Sequence, residues 1–203
     1  MRYILLFLLL GAFTANAQTR KTKALLKEIK NQWYVDDAGA VTYQRILELP
    51  DLGHYEVYSR ALNFFIYDSE SQPLRLNEDK VLGRLVAECI YENVHTSSVF
   101  MNYTNLHSLY IIRVDVKEGR ARILLTLTSY DIETGTTEDE SGPSVGNVKI
   151  SQTYPANEMG RNKTMMGKAF YYTHIRAQAT IDRLSKAMEE GNVRPSLQHS
   201  DWK

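Results

Sequence analysis

The sequence contains almost no cysteine. Cys89 is the one cysteine among 203 residues, so no intramolecular disulfide can form, whatever the redox state of the compartment. It lies in the segment GRLVAECIY, where Leu85, Ala87 and Tyr91 alternate with it on one face of a predicted strand. A nucleophilic thiol needs a nearby histidine, and His95 stands about 20 Å away along an extended chain. We therefore predict that Cys89 is an inert core residue.

An excess of either charge is also absent. The chain has 24 basic and 24 acidic residues. Proteins that bind nucleic acids concentrate Lys and Arg because phosphate contacts supply much of their affinity, so we expect no nucleic-acid partner. The histidines form no i,i+4 pair and lack a cysteine partner, and the glycines of GRNKTMMGK do not have the spacing of a phosphate-binding loop. We predict no metal site and no cofactor.

Long apolar runs are missing outside the N-terminus. An apolar run from Ile4 to Phe13 follows Arg2 and is followed by small residues at Ala15 and Ala17, a pattern typical of a secretory signal peptide. The run is too short to span a membrane, which takes about 20 apolar residues. We predict cleavage between Ala17 and Gln18, no membrane span in the mature chain, and a periplasmic or secreted protein. A lipoprotein would need a cysteine where Gln18 stands.

The remaining chain is predicted to form one α+β domain. We expect a signal peptide over residues 1–17, a leading helix or linker over 18–32, the domain over 33–190 and a C-terminal tail over 191–203. The predicted order is a strand, a helix, four or five antiparallel strands and a long helix. This order fits a curved antiparallel sheet of about five strands, with helices packed on one face.

The clearest supersecondary pattern is LHSLYIIRVDVKEGRARILLTLTSYDI. Two alternating runs meet at Glu118-Gly119, and a two-residue loop there pairs Lys117 with Arg120 and fixes the register. One face then carries the core side chains of the hairpin. They are Tyr110, Ile112, Val114, Val116, Ala121, Ile123, Leu125 and Leu127.

Two helices are predicted from apolar residues three or four positions apart. The first follows Gly53 as its N-cap, with an apolar stripe of Tyr55, Tyr58, Leu62 and Phe65. The second begins at Thr164 and ends at Gly191. Its stripe consists of Met166, Phe170, Thr173, Ala177, Ile181, Leu184 and Met188. Before it, ETGTTEDESGPSVG is predicted to be a loop and NVKISQTY a strand. Gly83 is predicted to mark a β-bulge.

The segment ELPDLGHYEVYSRALNFFIYDSESQPLRLNEDKVLGRLVAE resembles a family of exported proteins of Gram-negative bacteria that carry a domain of unknown function. The family combines a signal peptide, a Leu-Pro turn into a helix with a Tyr-x-x-Ala-x-x-Phe/Trp stripe, and an acidic-Lys-x-x-Gly turn into the next strand. Here these are Leu49-Pro50, then Tyr58, Ala61 and Phe64 or Phe65, then Asp79-Lys80 with Gly83. The resemblance implies a TATA-binding-protein-like (TBP-like) fold and export, but no activity and no DNA binding. Gly53 departs from the Ser or Thr expected at the helix cap.

Ser144 is the one residue whose surroundings spell a catalytic motif. Gly142-Pro-Ser-Val-Gly146 has the letters of a nucleophile elbow, and Asp182 and His199 follow in the order of the hydrolase family. An elbow needs a strand before the serine and a helix after it. Here a polar stretch precedes Ser144 and an alternating stretch follows it. We predict no catalytic residue and no enzyme, with a serine hydrolase using Ser144 as a remote alternative.

The function that we predict is an exported, non-enzymatic module that binds an unknown protein, peptide or small ligand in the bacterial envelope. The alternative is a structural or assembly component of an envelope complex. The expected contact surface is the face of the hairpin opposite its core, because it has more apolar area than a solvated face needs. The predicted binding residues are Leu109, Ile111, Arg113, Leu124 and Tyr130. The sequence leaves open whether another segment of the chain covers this face.

Overall fold

A computed structural model describes residues 20–68, 70, 72–136, 142–157 and 162–191. The predicted signal peptide, residues 192–203 of the predicted tail, and the acidic residues 138–140 lie outside the described residues. None of the described helices is long and apolar enough to cross a membrane.

The described chain has three α-helices and seven strands in an α+β arrangement. The helices are α1 (Arg20–Glu28), α2 (His54–Tyr67) and α3 (Lys163–Glu190), and a short 3-10 helix covers Ile150–Gln152. The strands are β1 (Tyr34–Val35), β2 (Val41–Glu48), β3 (Arg75–Asp79), β4 (Arg84–Val99), β5 (Asn102–Lys117), β6 (Arg120–Thr136) and β7 (Ser144–Lys149).

The strands form one sheet in the order β1-β2-β6-β5-β4-β3, with β7 also paired to β6. The pairs β3–β4 and β6–β7 are antiparallel. The α+β class and the antiparallel sheet are confirmed, but the expected count of about five strands was too low. The expectation missed the two-residue strand β1, and it treated as a loop the region where β6 continues to Thr136 and β7 starts at Ser144.

The described residues fall into two compact units, each assembled from separate pieces of the chain. The first unit contains the described residues up to Val41, together with Glu92–Ser108 and Ser129–His174. The second contains Thr42–Tyr91, Leu109–Thr128 and the described residues from Ile175 onward. The predicted limits of the single domain, residues 33–190, stay predictions.

In the first unit, two aromatic side chains pack against Phe170 of α3. The Trp33 ring meets Phe170 edge to face at 5.3 Å between centroids, and Tyr154 meets the same ring at 5.8 Å. Leu26 and Ile29 are buried, so the leading segment packs more firmly than its many charges would indicate.

In the second unit, the β5–β6 hairpin provides the centre of the core. The turn lies at Glu118-Gly119 as predicted, and Gly119 has a φ of 67°, a conformation that glycine adopts without strain. Every one of the eight predicted core side chains of this hairpin is at most 2% exposed. The two-residue loop therefore fixed the register, because a slip of one residue would have moved this whole set to the other face.

The predicted stripe of α2 needs a correction. Tyr58 and Phe65 are buried, but Tyr55 is 77% exposed and the buried face also contains Val57, Ala61 and Phe64. The stripe is therefore rotated toward the residues of the Tyr-x-x-Ala-x-x-Phe motif. Since aromatic residues occur on both sides of this helix, periodicity alone did not distinguish the two faces. All seven predicted stripe residues of α3, in contrast, are buried.

Gly83 belongs to a turn and not to a bulge. It has a φ of 61° and ends the connection between β3 and β4, where the Leu82 N–H donates to Asp79 Oδ1 at 2.9 Å. The Gly83 carbonyl accepts from Val116 N at 2.7 Å. A Cβ on Gly83 would overlap the Val116 carbonyl oxygen and the His54 ring, so the close approach of these groups explains the glycine.

Candidate functional site

The face of the hairpin opposite its core is the candidate site, and we call it the outer face. Its members are all half-buried, neither enclosed nor fully exposed to water. They come from alternate positions of β5 and β6. Successive side chains of a strand point to opposite faces of the sheet, so every second one lies on this side. The outer face consists of Leu109, Ile111, Arg113, Asp115, Leu124, Thr126 and Thr128.

Hydroxyl groups hold part of the outer face in place. The Thr126 and Thr42 hydroxyls lie 2.9 Å apart in a hydrogen bond, and the Thr128 hydroxyl donates to the Leu109 carbonyl at 3.1 Å. Because these hydroxyls bond within the sheet, the outer face has apolar side chains between polar groups that already have partners.

Three arginines surround one carboxylate at the hairpin end of the outer face. We call Arg84, Arg113, Asp115 and Arg122 the arginine cluster. Arg84 Nε donates to Asp115 Oδ1 at 2.8 Å, and Arg113 donates to the same oxygen through Nε and Nη2 at 2.9 and 2.8 Å. Arg122 donates to Oδ2 through Nη2 at 2.8 Å and Nε at 3.3 Å. The contact between Asp115 and Arg122 agrees with the predicted hairpin register.

The arginine cluster has more positive than negative charge. Burial acts to raise the pKa of Asp115, but hydrogen bonds from Arg122, Arg84 and Arg113 outweigh it and lower the pKa from 3.8 to about 2. The carboxylate is therefore ionised at neutral pH. One negative charge against three guanidinium groups leaves an excess of two positive charges, and the arginine side chains are 34% to 45% exposed.

An open pocket of about 230 Å³ adjoins the arginine cluster. Lys117, Arg120 and Arg122 provide cations to its wall, Asp115 provides the one carboxylate among the described residues that line it, and Ile46 provides an exposed apolar side chain. A pocket with this lining suits a ligand that has negative charge and some apolar surface.

The structure brings four of the five predicted binding residues together and separates the fifth. Leu109, Ile111, Arg113 and Leu124 lie on the outer face. Tyr130 is 0% exposed, and its neighbour Ser129 is buried as well, so the alternation along β6 breaks between them. Burial raises the pKa of Tyr130, and the Thr173 hydroxyl acts in the opposite direction. Tyr130 therefore lies against α3 in the first unit and cannot serve as a surface contact.

Sequence reasoning missed Arg84. It joins Asp115 because β4 and β5 form a long hairpin that turns at Phe100-Met101. Neither residue is a usual turn former, so the pairing of the predicted strand around Cys89 with β5 was not predicted. The run from Arg84 to Val99, which is free of glycine and proline and alternates as far as Tyr91, is the signal that could have identified this partner.

Ser144 does not lie in a nucleophile elbow. It is the exposed first residue of β7 and pairs with Thr134 of β6, so a strand follows the serine where an elbow needs a helix. Asp182 forms an ion pair with Arg45. His199 lies outside the described residues. The expectation that Ser144 belongs to a connecting loop was wrong, because β7 begins three residues before the predicted strand.

Cys89 is a core residue, as predicted. It is 2% exposed, and burial raises the pKa of its thiol to about 11, against a smaller opposing effect of Tyr110. The thiol is therefore protonated at neutral pH, whereas a nucleophile or a metal ligand would be a thiolate. In the part of the chain that the structure describes, no three His, Cys, Asp or Glu side chains gather into a possible metal site.

Comparisons with known proteins identify the fold of the chain. No family model matches the chain, and no curated protein matches it. A solved structure of a TBP-like protein from Parabacteroides distasonis is similar, with a TM-score of 0.53 and 14% identity, over 78% of this chain and 97% of its own. The fold is TBP-like. A DUF4468 family protein from Bacteroides ovatus shares the TBP-like fold, with a TM-score of 0.52 and 16% identity, over 82% of this chain and 95% of its own.

The TBP-like fold confirms what the sequence resemblance implied about architecture. At 14% and 16% identity, a shared fold does not imply a shared activity. The functional proposal therefore rests on the outer face and on the other described side chains.

Proposed function

We propose that this protein is a non-enzymatic binding module whose outer face binds an acidic segment of a partner protein. The observation that supports it is the arginine cluster, where three guanidinium groups share one carboxylate beside half-buried apolar side chains. An acidic segment that also has apolar residues matches both features of this surface.

Charge favours an acidic partner at the hairpin end of the sheet. Residues 113–122, the turn end of the β5–β6 hairpin, have four cations against Asp115 and Glu118, and Arg84 of β4 adds a fifth cation. The cations are Arg84, Arg113, Lys117, Arg120 and Arg122. Complementary charge speeds association and selects the partner. Because Asp115 already holds three of the guanidinium groups in place, less side-chain freedom is lost on binding.

The apolar residues of the outer face supply the second part of the proposed contact. Leu109 and Ile111 lie on β5, and Leu124 lies on β6 between Arg122 and Thr126. Apolar area removed from water contributes about 25 cal/mol per Å². Successive side chains of an extended segment point to opposite sides. A partner segment would therefore place both kinds of residue against this surface if its sheet-facing positions, every second residue, are acidic in one half and apolar in the other.

The absence of enzymatic activity is part of the proposal. Among the described residues, Ser144 begins a strand and Cys89 is buried as a thiol. A fluorophosphonate probe should therefore leave Ser144 unlabelled, whereas stoichiometric labelling would revive the hydrolase alternative.

Export to the bacterial envelope is also a proposal, supported by the sequence of residues 1–17. N-terminal sequencing of protein recovered from the periplasm of an expressing Gram-negative cell should begin at Gln18. An unprocessed N-terminus at Met1 in the cytoplasm would contradict export.

The binding proposal can be tested with a labelled peptide that has glutamate at every second position in one half and leucine at every second position in the other half, with serine between them. Fluorescence anisotropy should show saturable binding, and substitution of Lys117→Gln with Arg120→Gln should weaken it about tenfold, equivalent to roughly 1.4 kcal/mol. These two exposed side chains line the pocket without bonding to Asp115, so their loss should leave the fold intact.

A charge-matched control separates the site from general electrostatics. Lys23→Gln with Lys30→Gln removes the same charge from exposed positions in or next to α1 and should change the affinity by less than about twofold. Equal weakening by both double variants would mean that only net charge is sensed, and it would overturn the proposed site.

A further inference from the structure

A second cavity lies in the first unit, between the sheet and the start of α3. Its volume is about 450 Å³, within the range of roughly 300–1,000 Å³ that small-molecule sites occupy. Strands β4, β5 and β6 provide one wall, and the first turns of α3 provide another. None of its residues belongs to the outer face or to the arginine cluster.

The charged groups among the described lining residues of this cavity have one sign. Lys163 and Lys168 of α3 and His95 of β4 line it, and none of the described lining residues is an Asp or a Glu. All three side chains are half-buried. A partly desolvated ammonium group is stabilised by an anion placed beside it.

The charge of Lys168 reaches the imidazole across the cavity. Burial lowers the pKa of His95, and the positive charge of Lys168 lowers it further. At neutral pH the ring is therefore neutral and offers one N–H donor and one acceptor.

Hydroxyl groups from three neighbouring strands face the same space. Ser97 of β4, Thr104 of β5 and Thr134 of β6 each line the cavity. Hydroxyls donate hydrogen bonds to the oxygens of phosphate and carboxylate groups. Ile132 and Met165 add apolar surface, which a bare inorganic ion would not use but an organic molecule would.

We propose that this cavity binds a small organic anion, a molecule with a phosphate or carboxylate group on a polar body of about sugar size. In this arrangement Lys168 attracts the anionic group, the strand hydroxyls donate to its oxygens, and Ile132 and Met165 contact the body of the ligand. The proposal does not depend on the outer face, since the two sites share no residue.

The test uses three sugars that differ at one position: glucose 6-phosphate, glucuronate and glucose. Each is titrated into the isotope-labelled chain at millimolar concentration, and the His95 ring signals are followed by NMR. We expect saturable shifts with glucose 6-phosphate, glucuronate or both, and none with glucose. Which of the two anions binds more tightly distinguishes a phosphate site from a carboxylate site.

Variants of α3 provide the control. Lys168→Met should weaken anion binding about tenfold or more, whereas Lys186→Met, on the same helix with a side chain 67% exposed, should leave it unchanged. Ser97→Ala is a second, milder variant and should weaken binding without affecting the fold. The proposal is overturned if neither anion shifts the His95 signals saturably, if glucose shifts them equally, or if Lys168→Met binds like the unmodified chain.

Discussion

At the scale of single residues, Asp115 sets the stability of the arginine cluster. Its pKa lies at about 2, below the ordinary 3.8, so its contribution to stability is fully present above pH 3.8 and is lost as the pH falls toward 2. The shift corresponds to about 2 kcal/mol. Since the arginine side chains are 34% to 45% exposed, solvent screening reduces this to about 1–2 kcal/mol.

Asp115→Asn should therefore destabilise the protein by about 1–2 kcal/mol at pH 7, because three guanidinium groups would remain close together without a counter-charge. Urea unfolding measures this loss. Glu118→Gln is the matched control: this residue is exposed in the hairpin turn, and its removal should cost less than about 0.5 kcal/mol. Equal effects of the two substitutions would contradict the role of Asp115.

His174 makes a second contribution to the pH dependence of stability. The side chain is buried, its ring nitrogen Nε2 donates to Gln32 Oε1 at 3.2 Å, and burial lowers its pKa from 6.5 to about 4. Between these two pH values the unfolded chain binds a proton that the folded chain excludes, so stability falls as the pH drops from 6.5 to 4 and levels off below that. The full effect is on the order of 3 kcal/mol.

His174→Gln should remove this part of the pH dependence. Urea unfolding at pH 7 and pH 4.5 would show a smaller loss of stability for the variant than for the unmodified chain, while carboxylate titration affects both proteins alike. Parallel losses in the two proteins would show that His174 is already protonated in the folded state.

The sequence predicts the position of most outer-face residues but not that of Tyr130. Alternation around one recognised turn placed Leu109, Ile111, Arg113 and Leu124 on one face, because period two is enforced wherever the register is fixed. Tyr130 was misplaced because nothing in the local sequence signals the break at Ser129. Tyr130 lies beside Thr173 of α3, a helix that is distant from it in the chain.

At the scale of elements, the β4–β5 hairpin has an unfavourable turn residue. Phe100 has a φ of 53° and is 99% exposed. A left-handed conformation costs a residue with a Cβ about 1–2 kcal/mol, and this side chain has no packing to offset that cost.

Phe100→Gly should therefore stabilise the protein by about 0.5–1 kcal/mol, after allowing for the greater freedom of glycine in the unfolded chain. Val99→Gly is the matched control, since Val99 is a neighbouring exposed residue at the end of β4. Glycine there should destabilise by a similar amount. A loss of stability with Phe100→Gly would indicate that the phenyl ring packs against part of the chain.

The same hairpin explains which elements could be predicted. Glu118-Gly119 contains a glycine where the turn needs a positive φ, and both strands beside it were predicted in register. The β4–β5 turn has a phenylalanine in that role, so the pairing of these two strands was not predicted, and the contact between Arg84 and Asp115 was missed with it. Helix α3 was predicted almost to the residue because its apolar spacing is regular and Gly191 ends it.

At the scale of the whole molecule, the TBP-like fold was implied by a resemblance and confirmed by two solved structures. Composition and periodicity alone predicted an antiparallel sheet with helices on one face, but not the strand order β1-β2-β6-β5-β4-β3. That order depends on pairings between segments far apart in the chain, for which a single sequence has no local signal. The fold does not predict the function either, because it does not specify a ligand.

The central proposal is that the outer face binds an acidic, partly apolar segment, and the double substitution Ile111→Ser with Leu124→Ser tests it most directly. Binding of the glutamate–leucine peptide by anisotropy and the melting temperature are measured on the same samples. We predict that peptide binding weakens about tenfold or more, while the melting temperature falls by no more than about 5 °C. Leu74→Ser with Val145→Ser, two exposed residues elsewhere, should leave binding unchanged. A much larger fall in melting temperature, showing that the chain itself covers these side chains, or undiminished peptide binding would contradict the proposal.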